Sequence, residues 1–154
     1  MKEHAREPLI RTAREADIDQ LEDIERRCFS GDKLSRRSFR RFIRSPGACM
    51  IVAENAGILG YGLVLMRRDS ASARIYSIAI QPQNHKQGLG KKLIQRCEEL
   101  ARRGGRGRMV LEVRVDNGAA IALYEKLGYR RFGIKRNYYE DGEDALRLER
   151  ELTD

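Results

Sequence analysis

The chain has 154 residues, 41% of them apolar and 35% charged, with a formal net charge of +8. That is length enough for one domain, residues 1–154, with a core of its own, and the apolar share with its periodic runs excludes wholesale disorder. No run approaches the roughly 20 apolar residues of a membrane span, the first fifteen residues hold no apolar signal segment, and three scattered cysteines outside any CxxC pattern argue against a disulfide framework or a zinc site.

That cysteine usage fits a reducing, cytoplasmic setting, with Cys28, Cys49 and Cys97 read as small buried hydrophobes. Leu9 to Thr12 is a short strand. Asp17, with Gln20 three on, predicts a capped helix start, and Ile18, Leu21, Ile24 and Cys28 form its apolar stripe. Ser35 opens a second helix with Phe39, Phe42 and Ile43 inward, and Ser-Pro-Gly at 45–47 ends it. Cys49 to Glu54 and Ile58 to Met66 read as strands joined by Asn-Ala-Gly, with Gly57 free to take positive φ. Arg74 to Ile80 is another strand, alternating only in part. Leu89, Leu93, Cys97 and Leu100 make the strongest helical stripe, stopped by Gly104 and Gly105. Met109 to Val115 is a strand, and Ala120, Leu123, Tyr124 and Leu127 mark a helix closed by Gly128. Two strands finish the chain, Tyr129 to Tyr139 and Ala145 to Leu152, turned by Glu-Asp-Gly. The order β-α-α-β-β-β-α-β-α-β-β is a mixed α/β domain, antiparallel early, with a crossover helix in the middle.

The charge is uneven. Residues 26–44 carry eight basic residues against Asp32 alone, and Arg102, Arg103, Arg106 and Arg108 form a second cluster without an acid. Residues 140–144 run the other way, four acids in five. The basic runs suit an anionic partner such as nucleic acid, the ribosome or a phosphate group. They also suit a solvated helix face, because no aromatic residues interleave the arginines.

After Ile80, the stretch QPQNHKQGLGKKLIQ places Gly88 and Gly90 where a loop enters the best helix. Glycines there let backbone N–H groups approach an anion, and the helix N-terminus adds partial positive charge. A Walker A loop would need Gly and Ser or Thr where His85 and Lys92 stand, and a dinucleotide fingerprint would need a third glycine where Leu93 stands. By itself Gly-x-Gly is as compatible with an ordinary loop-to-helix turn.

Three segments in order resemble the GCN5-related N-acetyltransferase superfamily: KQGLGK, LEVRVDNGAAIALYEKLGY and IKRNYYEDGEDALRLER. The last is similar to the closing hairpin of one branch, the ribosomal-protein-alanine N-acetyltransferases. The resemblance runs from about Arg11 to Glu151. It implies a mostly antiparallel mixed sheet, splayed at the acetyl-CoA site and flanked by about four helices, with acetyl-CoA as cosubstrate and no metal. Two departures stand out. His85 replaces the usual Gln or Arg before the loop, and the polar CFSGDKLSRRSF replaces an aromatic-rich segment beside the acceptor groove.

The resemblance implies that His85, Lys86, Gln87, Gly88, Leu89, Gly90 and Lys91 hold the pyrophosphate. The backbone of Ile78, Ala79 and Ile80 would pair with the pantetheine arm, and Asn117 would hydrogen-bond it. Glu112 is then the general base, Tyr124 the acid that protonates the thiolate, and Tyr138, Tyr139, Glu140 and Asp141 the acceptor side. Without the resemblance, Glu112 can be read as a solvent-facing residue paired with a neighbour such as Arg114, Tyr124 as core, and Tyr138 and Tyr139 as plain strand residues; Asn117-Gly118 could be a hairpin turn, but the apolar helix pattern after it argues for a helix start.

Neutralising a lysine (pKa near 10.4) at pH 7 costs about 3.5 kcal/mol more than neutralising a chain α-amine (near 7.7–8.0), which favours a protein N-terminus for an enzyme with one modest base. A lysine, a polyamine or an aminoglycoside remains the alternative acceptor. A non-catalytic acetyl-CoA sensor or a basic ribosome- or nucleic-acid-binding module is the alternative of another class, and a monomer or a homodimer fits equally.

Overall fold

The computed structural model describes residues 7–85 and 87–152. In chain order it has β1 (Leu9–Thr12), α1 (Ile18–Cys28), α2 (Arg36–Arg44), β2 (Ala48–Glu54), β3 (Ile58–Met66), β4 (Ser72–Ile80), α3 (Leu89–Arg103), β5 (Arg108–Arg114), α4 (Gly118–Lys126), β6 (Arg130–Lys135) and β7 (Ala145–Glu151). Short 3-10 turns sit at Glu15–Asp17 and Pro82–Asn84. The expected element order holds throughout. The strand expected over Tyr129 to Tyr139 ends at Lys135, so Tyr138 and Tyr139 lie in the β6–β7 loop, where Asn137 takes a φ of 51°.

The seven strands form one sheet in the order β1-β2-β3-β4-β5-β7-β6, antiparallel except between β4 and β5. That parallel pairing stops early. It joins Ser72–Ile75 to Arg108–Leu111, although β4 continues to Ile80 and β5 to Arg114. Beyond Ile75 the strands part, and β4 presents an unpaired edge across the fork. A bulge sits at the parting point. Ile75 pairs with Val64 and Ser77 with Leu63, which leaves Tyr76 without a partner on β3. A bulge bends and twists its strand. The partial alternation of β4 has the same origin: Ile75 and Ile78 both pack in the α3-side core although three residues apart, a parity only an inserted residue permits.

Apolar side chains fill both faces. Helices α3 and α4 cover one core, with Leu93, Ile94, Cys97, Met109, Leu111 and Leu148 at its centre. Helices α1 and α2 cover β2–β4 on the other face with Leu21, Ile24 and Phe39, the Phe39 ring meeting Tyr61 edge-on at 5.6 Å. Beyond β4 on that second face, ion pairs take the place of a helix. Glu149 of β7 is gripped by Arg108 (3.0 Å) and Arg130 (3.1 Å). Cys97 is fully buried as expected, but Cys28 and Cys49 are only half-buried.

Ser35 caps α2 as expected, accepting from the Ser38 amide at 3.1 Å. The start of α1 differs. Asp17 caps the preceding 3-10 turn, accepting from the Arg14 amide at 2.7 Å, and is buried against the Arg11 guanidinium at 2.9 Å. Gln20 instead accepts from the Ile58 amide and pins the β2–β3 turn. Arg11 also holds Glu54 across the sheet at 3.0 Å.

The hydrogen bonds to Arg11 hold the Asp17 and Glu54 carboxyls below their ordinary values. A depressed carboxyl stabilises the fold above its unfolded pKa of about 4 and loses that contribution as pH falls through the folded value. Thermal stability should therefore decline from about pH 5 downward. Melting curves across pH 2–6 check this, and Asp17→Asn should flatten that decline from a lower starting stability.

The fold also brings the end of the first basic run near the second. Helix α2 ends beside the end of β3, where the Met66 amide donates to Gly47 O at 2.8 Å. There Arg106 donates to the Arg67 carbonyl at 2.8 Å. Arg37, Arg40, Arg41 and Arg44 line one open groove of about 430 Å³ with Ser45. This basic surface lies at the end of the sheet away from the fork.

Candidate active site

The loop into α3 builds an anion cradle from backbone. Gly88 precedes the helix in the left-handed region (φ 74°), where a side chain is strained, and no side chain caps the first turn. Those amides are therefore free to meet an anion. Gly90 also has a packing role. A Cβ there would sit 3.3 Å from Ile80 Cδ1 and from Leu123 Cδ2, so this glycine lets α3 pack on β4 and α4. The Leu89 side chain is buried in the core and offers only its backbone. Gln87 and Lys91 are exposed beside the cradle, and Lys86 lies outside the described residues. His85 Nε2 lies 3.0 Å from the Ile80 carbonyl, which also accepts from Cys28 Sγ at 3.2 Å. That carbonyl is thereby occupied within the protein.

Asn117 opens α4 and not a hairpin. Its Oδ1 accepts from the Ala120 amide at 3.2 Å, leaving the amide NH2 of the side chain for a ligand. Tyr124 projects from α4 with its ring buried edge-on against Tyr129 at 5.3 Å. Its hydroxyl makes no hydrogen bond among the described residues, and burial pushes the phenol above its ordinary value. Tyr129 is fixed in turn by Glu98 of α3, which accepts from its hydroxyl at 2.7 Å and from Arg150 at 2.7 Å.

Glu112 is not solvent-facing and does not pair with Arg114. Its side chain is 3% exposed and pairs with Arg74 of β4 and, at 3.7 Å, with Lys135 of β6. Arg114 pairs with Asp116 and Asp141. The Arg74 guanidinium also donates to the Tyr138 hydroxyl at 2.7 Å. Tyr138 and Tyr139 pack edge-on at 5.0 Å, with Lys135 over the first ring and Arg114 over the second. Burial, chiefly, raises the Tyr139 phenol to about 12; it also feels the charges of Glu112 and Asp32, and acts electrostatically on Tyr124.

The loops expected at the acceptor side meet in a contact that sequence reasoning missed. The Glu140 amide donates to Asp32 of the α1–α2 loop at 3.2 Å, joining two loops 108 residues apart. Asp32 was visible as the single acid of a basic run. The α1–α2 loop is anchored from below by buried Glu25, which accepts from the Leu34 amide at 2.8 Å and from the Tyr61 hydroxyl. Asp141 directs its charge to Arg114, which lowers its carboxyl pKa, and the Glu140 carboxylate of the expected acidic pair has no ion pair among the described residues. Among the described residues no cluster of three or more His, Cys, Asp or Glu could hold a metal.

The cradle, the free β4 edge and the uncapped half of Asn117 fit a long ligand with a phosphate at one end. Comparison with known proteins agrees. The family model described as Acetyltransferase (GNAT) family matches residues 18–129. A Bacillus subtilis protein provisionally named as a ribosomal protein bS18-alanine N-acetyltransferase is 38% identical over 140 residues, 89% of this chain and 91% of that one. The N-alpha-acetyltransferase RimI of Mycobacterium tuberculosis is 33% identical over 144 residues, 90% of this chain and 89% of that one. The crystal structure of the ribosomal-protein-S18-alanine N-acetyltransferase from Escherichia coli superposes with a TM-score of 0.84 at 28% identity, covering 96% and 95% of the two chains. The forked sheet, the cradle at α3 and these likenesses together show that the chain belongs to the GNAT acetyltransferase family, as an acetyl-CoA-dependent N-acetyltransferase.

Proposed function

We propose that the acceptor is the N-terminal α-amine of a protein, a ribosomal protein beginning with alanine, and that the reaction takes place in the cytoplasm. The observation that carries this reading is the fork itself, where the buried Glu112 carboxylate shares the Arg74 guanidinium with the Tyr138 hydroxyl. One modest base suits an α-amine better than a lysine by about 3.5 kcal/mol. The names of the relatives that match about nine-tenths of the chain support the same acceptor.

The α3 amides, with Gly88 in its left-handed turn, hold the pyrophosphate, and the free edge of β4 from Ile78 aligns the pantetheine arm. When bound, the thioester supplies an activated acetyl group. Glu112 takes one proton from the incoming ammonium, directly or over one water, so that the neutral nitrogen can form the new C–N bond. Tyr124 gives its hydroxyl proton to the sulfur as the C–S bond breaks, and the second proton lost from the nitrogen restores the phenol. Tyr138 and Tyr139 line the acceptor side, with Glu140 close enough to the opening to attract a cationic terminus. The basic surface at the far end of the sheet gives the enzyme a place to contact ribosomal RNA without obstructing the fork.

Thiol release from acetyl-CoA, measured with three acceptors, tests the reading. These are a peptide beginning Ala-Arg, the same peptide with a blocked N-terminus and one lysine, and spermidine. Turnover confined to the free N-terminus is the expected result. Preference for the lysine peptide or spermidine would replace the acceptor. Turnover of none, with RNA binding that falls steeply with salt, would favour a binding module instead.

A further inference from the structure

Among the described residues four buried side-chain polar atoms lack a partner, and three of them lie on one patch: Arg74 Nε, Glu112 Oε2 and Arg147 Nε. Unpaired buried polar atoms are uncommon in native proteins, and each needs a reason. The strand register shows how unusual this patch is. Glu112 of β5 lies directly opposite Arg147 of β7, so Arg147 is the cation nearest along the ladder. The two form no ion pair. Arg147 lies over the Phe132 ring at 4.6 Å instead.

The cation that holds Glu112 comes from the other side of the fork. Arg74 pairs in register with Val110, one position before β4 and β5 part, and its guanidinium reaches diagonally to Glu112 Oε1. The same Nη2 donates to the Tyr138 hydroxyl at 2.7 Å, and Lys135 closes on the same Oε1 at 3.7 Å. Both cations therefore converge on one carboxylate oxygen. The second oxygen, Oε2, is left without a bond. The Arg74 side chain is 33% exposed, makes no other ion pair among the described residues, and lies over the Tyr76 ring at 5.7 Å.

We propose that Arg74 is the positioning residue for Glu112. By occupying Oε1 from across the fork and tying the acceptor-wall residue Tyr138 to the same point, it leaves Oε2 as the one oxygen that receives the proton of the acceptor amine. Arg74 touches no reacting atom. It acts by fixing the rotamer of the base and the distance between base and acceptor wall, the kind of placement on which rate depends steeply. The inference rests on the reading of Glu112 as general base.

The test is a double-mutant cycle of Arg74→Ala and Glu112→Gln, read by steady-state thiol release with the acceptor of the three above that turns over fastest. Arg74→Ala is expected to lower kcat at least tenfold, with the acetyl-CoA dissociation constant changed less than threefold. Arg74→Lys should restore most of the rate, since it keeps a cation within reach of Oε1. In the Glu112→Gln background, Arg74→Ala should slow the reaction no further. A wild-type kcat in Arg74→Ala while Glu112→Gln is slow would overturn the positioning role and leave the base in place. So would an effect confined to the acceptor KM, or an undiminished loss in the Glu112→Gln background. A wild-type rate in Glu112→Gln would overturn the base assignment and the proposal with it. A melting temperature for Arg74→Ala near that of the parent separates these results from misfolding.

Discussion

Tyr124→Phe is expected to lower kcat by roughly 10²–10³-fold while acetyl-CoA binding stays within about threefold of the parent. The substitution removes one oxygen and nothing else. The ring keeps its edge contact with Tyr129 at 5.3 Å, and the hydroxyl it loses makes no hydrogen bond among the described residues. No buried partner is orphaned and no cavity opens, so stability should change by less than about 1 kcal/mol. What disappears is the donor proposed for the departing sulfur. Burial holds this phenol above its ordinary value, so it stays protonated across the working range and can stabilise the sulfur as charge develops there. Thiol-release kinetics measure kcat and calorimetric titration measures acetyl-CoA binding. An unchanged kcat would reduce Tyr124 to a packing residue, and a loss seen only in acetyl-CoA affinity would make it a binding residue.

Glu98→Ala is expected to cost about 2–4 kcal/mol of stability, a fall in melting temperature of about 5–15 °C for a domain of this size. Glu98 sits on α3 with 2% of its surface exposed and accepts from Tyr129 at the entry to β6 and from Arg150 of β7, both at 2.7 Å. Truncation leaves a buried phenol hydroxyl without an acceptor, a guanidinium without its counter-charge and a void beneath α3. Arg150 is 32% exposed and can recover part of its hydration, which keeps the expected loss below that of a fully enclosed pair. Glu98→Gln should lose much less, because it still accepts from Tyr129. Thermal melts of the two variants measure the difference, and a drop under about 2 °C for the alanine variant would show that the network contributes little. The same network backs the ring that packs on Tyr124, so Glu98→Ala should also blunt activity below its melting range.

The features readable along the chain are those written in neighbouring residues. Ile18, Leu21 and Ile24 repeat at helical spacing, Ser35 offers an oxygen to its own helix, and Gly57, Gly88, Gly128 and Gly142 take the positive φ angles that turns and helix ends require. Each of these depends on contacts a few residues away, so periodicity and punctuation recover every helix and strand in order. The family resemblance then placed Gly88, Asn117, Glu112 and Tyr124 around one fork. Even the bulge at Tyr76 left a local mark, the broken alternation between Ile75 and Ile78, although only the pairing with β3 shows what that break means.

The electrostatics of the site were out of reach for the opposite reason. Glu112 sits beside Arg114 in sequence, but alternate residues of a strand differ little in spacing while the fold sets which cations can reach them. Its partner is Arg74, 38 residues away, because β4 lies next to β5 in the sheet. Arg11 meets Glu54 across 43 residues for the same reason, and Asp32 meets the Glu140 amide across 108 because folding brings two loops together. Asp17 and Gln20 have the spacing of a capping pair, yet each found a stronger claim on its side chain in a strand or turn brought close by folding. Local propensity alone determined the elements and their order. Strand order and register, which no neighbouring residues encode, decided which charges meet across the fork.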